Sequence, residues 1–330
     1  MKLTKLASVL GALAITAGVS QEASAAETLK FGTLAPKQSV WGQVFQVWEK
    51  AVAKKSDGKL EISFDYNGVQ GDEGSMVGKM KSGQLDGGAV TAVGLSKFYK
   101  PVLVMQMPGL LNDWSKVDKA LAAKGDEFKT GLKDAGATNL GWGFVGLTHV
   151  FTKGGSIKKP GDFKGRKPYM WRDDTVAPTL YQILGVTPVG LNVPEVLPNL
   201  KTGSIDTIVS PALAVEQLQW ASHLDGMSSQ TVGAAIGALI MSSKRLDALP
   251  GDLRTVVVDT GAIAAKGLTE KIKEADKRAA ERFTEKNKDN VYSIDESAFQ
   301  ETFKTMRTKL SQGTFDASLI EAMEKAAGLR

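Results

Sequence analysis

The chain has 330 residues, with 41 Lys and Arg, 36 Asp and Glu, 2 His and no Cys. Its formal net charge of +5 is spread over mixed Lys and Glu positions without a compact basic block, so we expect no nucleic-acid partner. The lack of Cys excludes Cys nucleophiles and Cys-based metal sites and fits an oxidising compartment. A chain of this length exceeds the usual single core and is expected to divide into two lobes.

The N-terminal 25 residues have the three parts of a secretory signal peptide. Two lysines precede the apolar run LASVLGALAITAGV (6–19), and A-S-A (23–25) provides a small-residue cleavage site. The run is shorter than the roughly 20 apolar residues that span a bilayer, which disfavours a membrane anchor. We therefore predict a signal peptide over 1–25, cleavage after Ala25 and a periplasmic mature protein.

The first part of the mature chain predicts alternating strands and helices. Strand patterns lie at ETLKFGTL (27–34), KLEISFDY (59–66) and LDGGAVTAV (85–93). Helical spacing lies between them, at 40–58 and 72–83. This order predicts a parallel sheet with helices on both faces.

The second part repeats the scheme. GRKPYMW (165–171), TPVGL (187–191) and IDTIVS (205–210) predict strands, and 173–185 and 194–203 predict helices. The sequence therefore predicts an α/β fold made of two βαβ lobes with a cleft between them.

A short phrase occurs in both lobes, as KSGQLD (81–86) and as KTGSID (201–206). In each copy a helix ends at a glycine, which adopts the left-handed C-terminal conformation at little cost, and a strand follows at once. We interpret Asp86 and Asp206 as turn and capping residues at the amino ends of these strands, with a structural role.

Candidate ligand-binding residues follow from the position of the strands, because ligands of open α/β sheets lie beyond the carboxyl ends of the strands. Ser210 and Pro211 also match a helix N-cap followed by proline, an arrangement that suits a carboxylate or polar ligand group. The candidates are Gln38, Trp41, Gln70 and Thr91 in the first lobe and Tyr169, Trp171, Arg172 and Ser210 in the second.

Residues 252–289 predict one long helix, weakened only at Gly261 and Gly267. At 1.5 Å per residue it would reach on the order of 55 Å, which exceeds one lobe, so we expect it to brace both. A further helix is predicted over 296–313, followed by a short tail helix. The predicted divisions are lobe I (26–150), lobe II (151–230), return strands to lobe I (231–250), the long helix (251–290) and C-terminal helices (291–330).

An ordered series of phrases along the mature chain resembles the substrate-binding proteins of tripartite ATP-independent periplasmic (TRAP) transporters, the dicarboxylate-binding-like group. Within 135–211 these are the DFKGRK phrase, the LGVTPV strand, a helix led by Glu195 and the TGSID turn. KMKSGQLDGGAV, MPGLL (107–111) and SKRLDALPGDLRTVV (243–257) are similar to the same family. The resemblance implies a bilobal periplasmic-binding-protein fold, type II-like, that closes about a hinge and works with a sodium-coupled membrane permease.

One position departs from that family. Most members have an arginine four residues after the glycine of the DFKG-like phrase, where it clamps a ligand carboxylate, but counting from Gly165 this position is Tyr169. Two interpretations stay open: Arg172 provides the clamp instead, or Arg172 is a surface residue. Members without the clamp work with an additional helical-repeat periplasmic partner and are associated with apolar ligands. The ligand is therefore expected to be an organic acid or an apolar molecule, and Tyr169, Trp171 and VGAAIGALI (232–240) are compatible with the latter.

Other motifs give little support to an enzyme. GWGFVG (141–146) matches G-x-G-x-x-G, but a strand pattern follows it where a dinucleotide site requires a helix. Neither His149 nor His223 has a carboxylate at a metal-binding spacing, and no G-x-S-x-G elbow occurs. We expect no cofactor and no metal. A periplasmic hydrolase or lyase on a binding-protein fold is the alternative, without an identified nucleophile or acid–base pair.

Overall fold

The computed structural model describes residues 26–330, and the predicted signal peptide lies outside the described residues. The strands are β1 (Glu27–Thr33), β2 (Leu60–Asp65), β3 (Gly87–Thr91), β4 (Ala137–Thr152), β5 (Tyr169–Trp171), β6 (Val189–Leu191), β7 (Thr207–Pro211), β8 (Gly226–Ser228), β9 (Gly233–Ser242) and β10 (Val291–Tyr292). The helices are α1 (Val40–Lys55), α2 (Glu73–Ser82), α3 (Ala92–Leu95), α4 (Trp114–Asp134), α5 (Ala177–Leu184), α6 (Val193–Thr202), α7 (Ala212–Gln217), α8 (Ser243–Asp247), α9 (Gly251–Lys286), α10 (Glu296–Leu310) and α11 (Ala317–Ala326).

The first lobe contains the predicted βαβ unit. Strand β1 pairs in parallel with both β2 and β3, and α1 and α2 form the two crossovers. The apolar face of α1 packs on this sheet: the rings of Phe45 and Phe64 stack at 4.8 Å, and Trp48 meets Phe31 edge-on at 5.3 Å. These aromatic contacts attach the apolar face of α1 to the apolar face of the sheet.

The second lobe repeats the unit with shorter strands. Strands β5 and β6 pair in parallel over three residues each, and a bridge between Pro168 and Thr207 attaches them to β7. Strand β5 begins at Tyr169, so the strand predicted from residue 165 is wrong at its start. Residues 160–163 form a 3₁₀ turn, and Gly165 adopts a left-handed conformation with φ of 83°. The extended backbone therefore begins only after Gly165.

Two long antiparallel strands join the lobes. Strand β9 pairs with β3 of the first lobe and with β4 along most of its length, and the far end of β4 pairs with β7 of the second lobe. The large sheet is consequently mixed, with the order β10-β8-β4-β9-β3-β1-β2 and with β7 beside β4. The fold is thus bilobal and α/β as predicted, but the sheet is not purely parallel, because the chain crosses between the lobes on antiparallel strands.

Helix α9 is continuous over 36 residues, as predicted, and packs against α1, β4 and α7. It therefore contacts elements of both lobes. Gly261 does not break the helix but allows a close approach, since a Cβ there would lie 3.0 Å from the Cβ of Leu140. At the adjacent residue, Thr260, the hydroxyl oxygen accepts a hydrogen bond from the indole N–H of Trp48 at 3.0 Å, which fixes α1 to α9.

A buried carboxylate fixes α9 to the second lobe. Asp276 accepts hydrogen bonds from the backbone N–H of Leu147 in β4 and of Leu213 in α7, both at 2.9 Å. Next to it, β4 shifts register at Gly146, whose φ is 145° and where a Cβ would meet the Asp276 carboxylate at 2.6 Å. Burial outweighs the backbone donors and raises the pKa of Asp276 to about 6.

The repeated phrase has the predicted structure in both lobes. Gly83 and Gly203 end α2 and α6 in the left-handed conformation, with φ of 78° and 73°. Asp86 accepts a hydrogen bond from the backbone N–H of Lys30 at 2.7 Å, and Asp206 accepts one from Lys167 at 2.9 Å. Each aspartate ties the start of its strand to the neighbouring segment, so the structural interpretation of the two residues is confirmed.

We predict that Asp206→Asn lowers the stability of the protein more than it lowers ligand affinity. The amide retains one acceptor but loses the charge-assisted bond to the backbone N–H, which corresponds to a loss of about 1–2 kcal/mol in the free energy of unfolding. Urea denaturation measures it, with Asp259→Asn on the exposed face of α9 as a control of equal charge change. A large loss of affinity at an unchanged melting temperature would contradict the prediction.

Asp276 generates a pH-dependent prediction. Its folded-state pKa of about 6 lies above the ordinary value of 3.8, so the folded protein holds this proton more tightly than the unfolded chain does. The stability it contributes is complete below about pH 4 and is lost as the pH rises through 6. Relative to Asp276→Asn, we expect the wild type to lose up to about 3 kcal/mol between pH 4 and pH 7, measured by urea denaturation. A relative stability that instead rises from pH 4 to pH 7 would show that the backbone donors keep the Asp276 carboxylate ionised.

Candidate ligand-binding site

A cavity of about 270 Å³ lies between the two lobes. Its lining includes the last residues of four strands: Thr33 of β1, Thr91 of β3, Trp171 of β5 and the Ser210–Pro211 end of β7. Strands β4 and β9 provide its base through residues 143–145 and 233–235. The cavity thus occupies the place that the strand order predicts for a ligand.

Most of the cavity wall is apolar or aromatic. Trp41 is held in place because its indole N–H donates to the backbone carbonyl of Phe144 at 3.1 Å. Tyr169 and Trp220 meet edge-on in the opposite lobe, with ring centroids 6.2 Å apart. Such a wall buries the apolar part of a small molecule and leaves its orientation to a few polar groups. The large apolar lining residues are Trp41, Phe45, Phe144, Met170, Trp171, Leu180, Tyr181, Leu218 and Trp220.

The charged side chains of the lining are both acidic. They are Glu73 at the start of α2 and Asp174 before α5, and among the described residues no Lys, Arg or His lines the cavity. A ligand carboxylate here would therefore find no cation to pair with. This lining differs from the arginine-clamped site that the family resemblance implies for most members.

Glu73 is buried and already bonded by the protein. Its carboxylate accepts from the backbone N–H of Thr91, from the Thr91 hydroxyl and from the backbone N–H of Gly94, each at 2.8 Å. Burial raises its pKa to about 8 against the effect of these donors. Glu73 therefore fixes the β3–α3 turn, and its oxygens have little remaining capacity to accept hydrogen bonds from a ligand.

Tyr169 and Asp174 have unused hydrogen-bonding capacity. Tyr169 is only 8% exposed, and its hydroxyl has no hydrogen-bond partner among the described residues. One oxygen of Asp174 accepts from the backbone N–H of Val176 at 2.7 Å and of Ala177 at 3.1 Å, which caps the start of α5. Burial raises the pKa of Asp174 above its ordinary value.

Contacts across the cleft join the lobes near these residues. The indole N–H of Trp171 in the second lobe donates to Asp72 at the N-cap of α2 in the first lobe, at 2.9 Å. Lys97 and Asp173 form an ion pair between the same regions at 3.1 Å. Trp171 is thus both a wall of the cavity and a hydrogen-bonded link between the lobes.

Five of the eight residues predicted to bind ligand line the cavity: Trp41, Thr91, Tyr169, Trp171 and Ser210. Gln38 and Gln70 do not: Gln38 is exposed, and the Gln70 amide donates to Asp65 at 2.7 Å. Strands β1 and β2 are neighbours in the sheet, but none of residues 66–72 after β2 lines the cavity.

Arg172 also lies outside the cavity. Its side chain is 52% exposed and pairs with Glu195 at 3.0 Å on the surface of the second lobe. Strand β5 ends at Trp171, and the side chain of Arg172 beyond it is held outside the cavity by Glu195. The structure therefore matches the interpretation of Arg172 as a surface residue.

The predicted N-cap role of Ser210 is wrong. Strand β7 continues through Pro211, with His149 opposite Ser210 in the β4 pairing, and α7 begins at Ala212 with Pro211 in the cap position. The Ser210 hydroxyl donates only a long bond, of 3.4 Å, to the Pro211 carbonyl. Extended pairing with β4 prevents the serine from turning back over the helix start.

Other lining residues were not predicted from the sequence: Glu73, Gln106, Phe144, Asp174, Tyr181 and Trp220. Asp174 could have been found, because it precedes the A-P helix start at 177 as a capping aspartate does. Glu73 and Trp220 carry no such local signal, since their place in the cavity depends on how the lobes pack.

No cluster of three or more His, Asp or Glu within residues 26–330 could hold a metal ion. No helix in the same part of the chain is long and apolar enough to cross a bilayer.

A bilobal α/β fold with a cavity at the strand ends between its lobes defines a solute-binding protein. The sequence pattern described as bacterial extracellular solute-binding protein, family 7, matches residues 31–313. The chain therefore belongs to this family of solute-binding proteins, and the resemblance to TRAP substrate-binding proteins is confirmed.

Curated relatives share about a quarter of their residues with this chain. A solute-binding protein of Sulfitobacter sp. (strain NAS-14.1) is 24% identical over 265 residues, covering 78% of this chain and 79% of the relative. The C4-dicarboxylate-binding periplasmic protein of Vibrio cholerae is 25% identical over 207 residues, covering 62% of each chain.

Solved structures share the fold at lower identity. A TRAP periplasmic solute-binding protein from Sulfitobacter sp. NAS-14.1 with bound β-D-galacturonate has a TM-score of 0.83 at 17% identity, covering 91% of this chain and 100% of its own. The sugar acid binding protein of Advenella mimigardefordensis in complex with galactonate has a TM-score of 0.83 at 18% identity, covering 91% and 99%. At this identity the likeness concerns the fold.

We predict that Trp171→Ala weakens binding of the molecule that co-purifies with the protein, whereas Arg172→Ala does not. Loss of the indole removes a cavity wall and the link to Asp72, with a cost of about 2–4 kcal/mol, as for buried aromatic anchors. Removal of the exposed Arg172 should change affinity by less than about threefold. Calorimetric titration checks both, and Trp171→Phe separates the ring from its N–H. Strong loss in Arg172→Ala with little in Trp171→Ala would contradict the prediction.

Proposed function

We propose that this protein is the periplasmic receptor of a TRAP-type transporter, which captures a small organic molecule between its lobes and delivers it to a membrane permease. Membership in the solute-binding family supports the receptor role. The cavity between two lobes supports capture by closure, because binding proteins of this shape close about a hinge around the ligand.

We further propose that the ligand is mainly apolar and lacks a carboxylate. The observation that carries this is the lining, in which the charged side chains among the described residues are Glu73 and Asp174. Burying a ligand carboxylate beside them without a cation is costly, since buried charges require a partner. The aromatic wall instead favours a ring or an aliphatic chain.

An organic acid is the second candidate, and the solved relatives favour it. Galacturonate, glucuronate and galactonate are bound in TRAP-type proteins of the same fold. For this chain an acid would need a cation to enter the cavity. Arg172 is the nearest arginine in sequence to the cavity-lining Trp171, and it is engaged by Glu195 outside the cavity.

The partners and the class of activity belong to the same proposal. Delivery to a permease follows from the family, whereas a helical-repeat periplasmic partner is supported only by the missing arginine at Tyr169. The alternative of a periplasmic hydrolase or lyase lacks support in the cavity. The Ser210 hydroxyl donates to a backbone carbonyl, and the ring of His149, opposite it in the sheet, is hydrogen-bonded to the Ser228 carbonyl and does not line the cavity. A turnover assay on the bound molecule would separate an enzyme from a receptor.

Native mass spectrometry of the protein expressed with its leader, followed by denaturing release, tests the proposed ligand. We expect the mature chain to carry a small molecule without a carboxylate. Trp171→Ala, expressed in parallel, should carry less of it, and Arg172→Ala should carry as much as the wild type. Release of an organic acid at full occupancy would refute the proposed ligand class.

A further inference from the structure

Acidic side chains surround Tyr169 at the polar end of the cavity. Burial raises the pKa of Tyr169 well above its ordinary range, and the nearby carboxylates of Asp72, Asp174 and Glu73 raise it further. The neighbouring Asp173 is paired with Lys97, but no cation among the described residues lines the cavity. Buried carboxylates are stable when a cation or a proton balances them.

The hydrogen bonds of these groups show which of them remain available. The oxygens of Glu73 accept from Thr91 and Gly94, and those of Asp72 accept from Trp171 and from the backbone N–H of Glu73. Asp174 uses one oxygen for the start of α5, and its other oxygen accepts no bond from the described residues.

Tyr169 provides a second, independent indication. The residue lines the cavity, and its hydroxyl is buried and lacks a partner, which is unusual because buried polar groups are nearly always bonded. The hydroxyl can accept a hydrogen bond as well as donate one. The free oxygen of Asp174 and the hydroxyl of Tyr169 are therefore two acceptors at one end of an otherwise apolar cavity.

We propose that the ligand carries a protonated amine, whose N–H groups donate to Asp174 and to the Tyr169 hydroxyl. The inference rests on the proposed receptor function and deepens it by naming the polar end of the ligand. An ammonium group supplies the donors that both residues lack and also balances the carboxylate. A hydroxyl would supply a donor but no charge.

The walls around this end suit a cation. Trp171, Tyr181 and Trp220 line the cavity together with Tyr169, and the faces of such rings attract a positive charge. The volume of about 270 Å³ exceeds that of an apolar cavity of about 150 Å³ that holds benzene. The ligand is thus expected to be a small amine with one ring or a short chain.

Three probes of one size distinguish the ligand classes: 2-phenylethylammonium, 2-phenylethanol and phenylacetate. The mature protein is first unfolded and refolded to remove any co-purified molecule. Affinity is measured by calorimetric titration, and the shift in melting temperature is recorded alongside. We expect the ammonium probe to bind most tightly, the alcohol at least about tenfold more weakly, and phenylacetate not at all at millimolar concentration.

Asp174→Asn tests the proposed contact directly. Asparagine retains the oxygen that caps α5, so folding is preserved, but the charge is lost. We expect the ammonium probe to lose about 30-fold or more in affinity, while the alcohol changes by less than about threefold. Tyr169→Phe should weaken the ammonium probe by about tenfold. Asp259→Asn, with the same charge change on the exposed face of α9, is the control and should bind as the wild type does.

The outcomes separate this inference from the proposed function. Three results would overturn the proposal that the ligand is an amine. They are equal affinity for the ammonium and alcohol probes, an unchanged affinity of Asp174→Asn for the ammonium probe, and no binding of that probe at millimolar concentration. In those cases the proposed function, a receptor for a ligand without a carboxylate, is not contradicted. Tightest binding of phenylacetate would overturn both.

Discussion

The carboxylate of Asp276 is the contact on which the arrangement of the second lobe depends. It joins three elements that are distant in sequence: α9, the register shift of β4 beside Gly146, and the start of α7 at Leu213. The same helix is bonded to the first lobe through Thr260 and Trp48. Because the cavity is lined from both lobes, its width is set by how these two attachments place the lobes along one rigid helix.

The chemistry of the cavity depends on which residue occupies position 169. The family resemblance implies a clamping arginine there in most members, whereas this chain has Tyr169, which lines the cavity and whose hydroxyl stays unbonded. The carboxyl groups of Glu73 and Asp174 have no cation beside them among the described lining residues. The proposed ligand, with an apolar surface and hydrogen-bond donors, follows from this lining.

The sequence was informative where local chemistry decides the structure. Helical and strand periodicity predicted both βαβ units, and the glycines at 83 and 203 predicted the helix ends. The antiparallel course of β4 and β9 was missed, since pairing between distant strands leaves no local pattern. Helix α4 was also missed, although its apolar residues have helical spacing. At the site, the rule that ligands lie beyond the strand ends found Trp171 but could not place Arg172, because the direction of a side chain just past a strand depends on its partner, here Glu195.

The sharing of long elements between the lobes has a consequence for how the chain folds. Strands β4 and β9 and helix α9 each belong to both halves of the molecule, so neither half has a complete sheet of its own. Unlike two domains joined by a linker, the lobes form one cooperative folding unit, and a separated lobe would expose the unpaired edges of both strands. The chain is therefore expected to fold as a whole or not at all, even though the proposed function requires its two halves to move relative to each other.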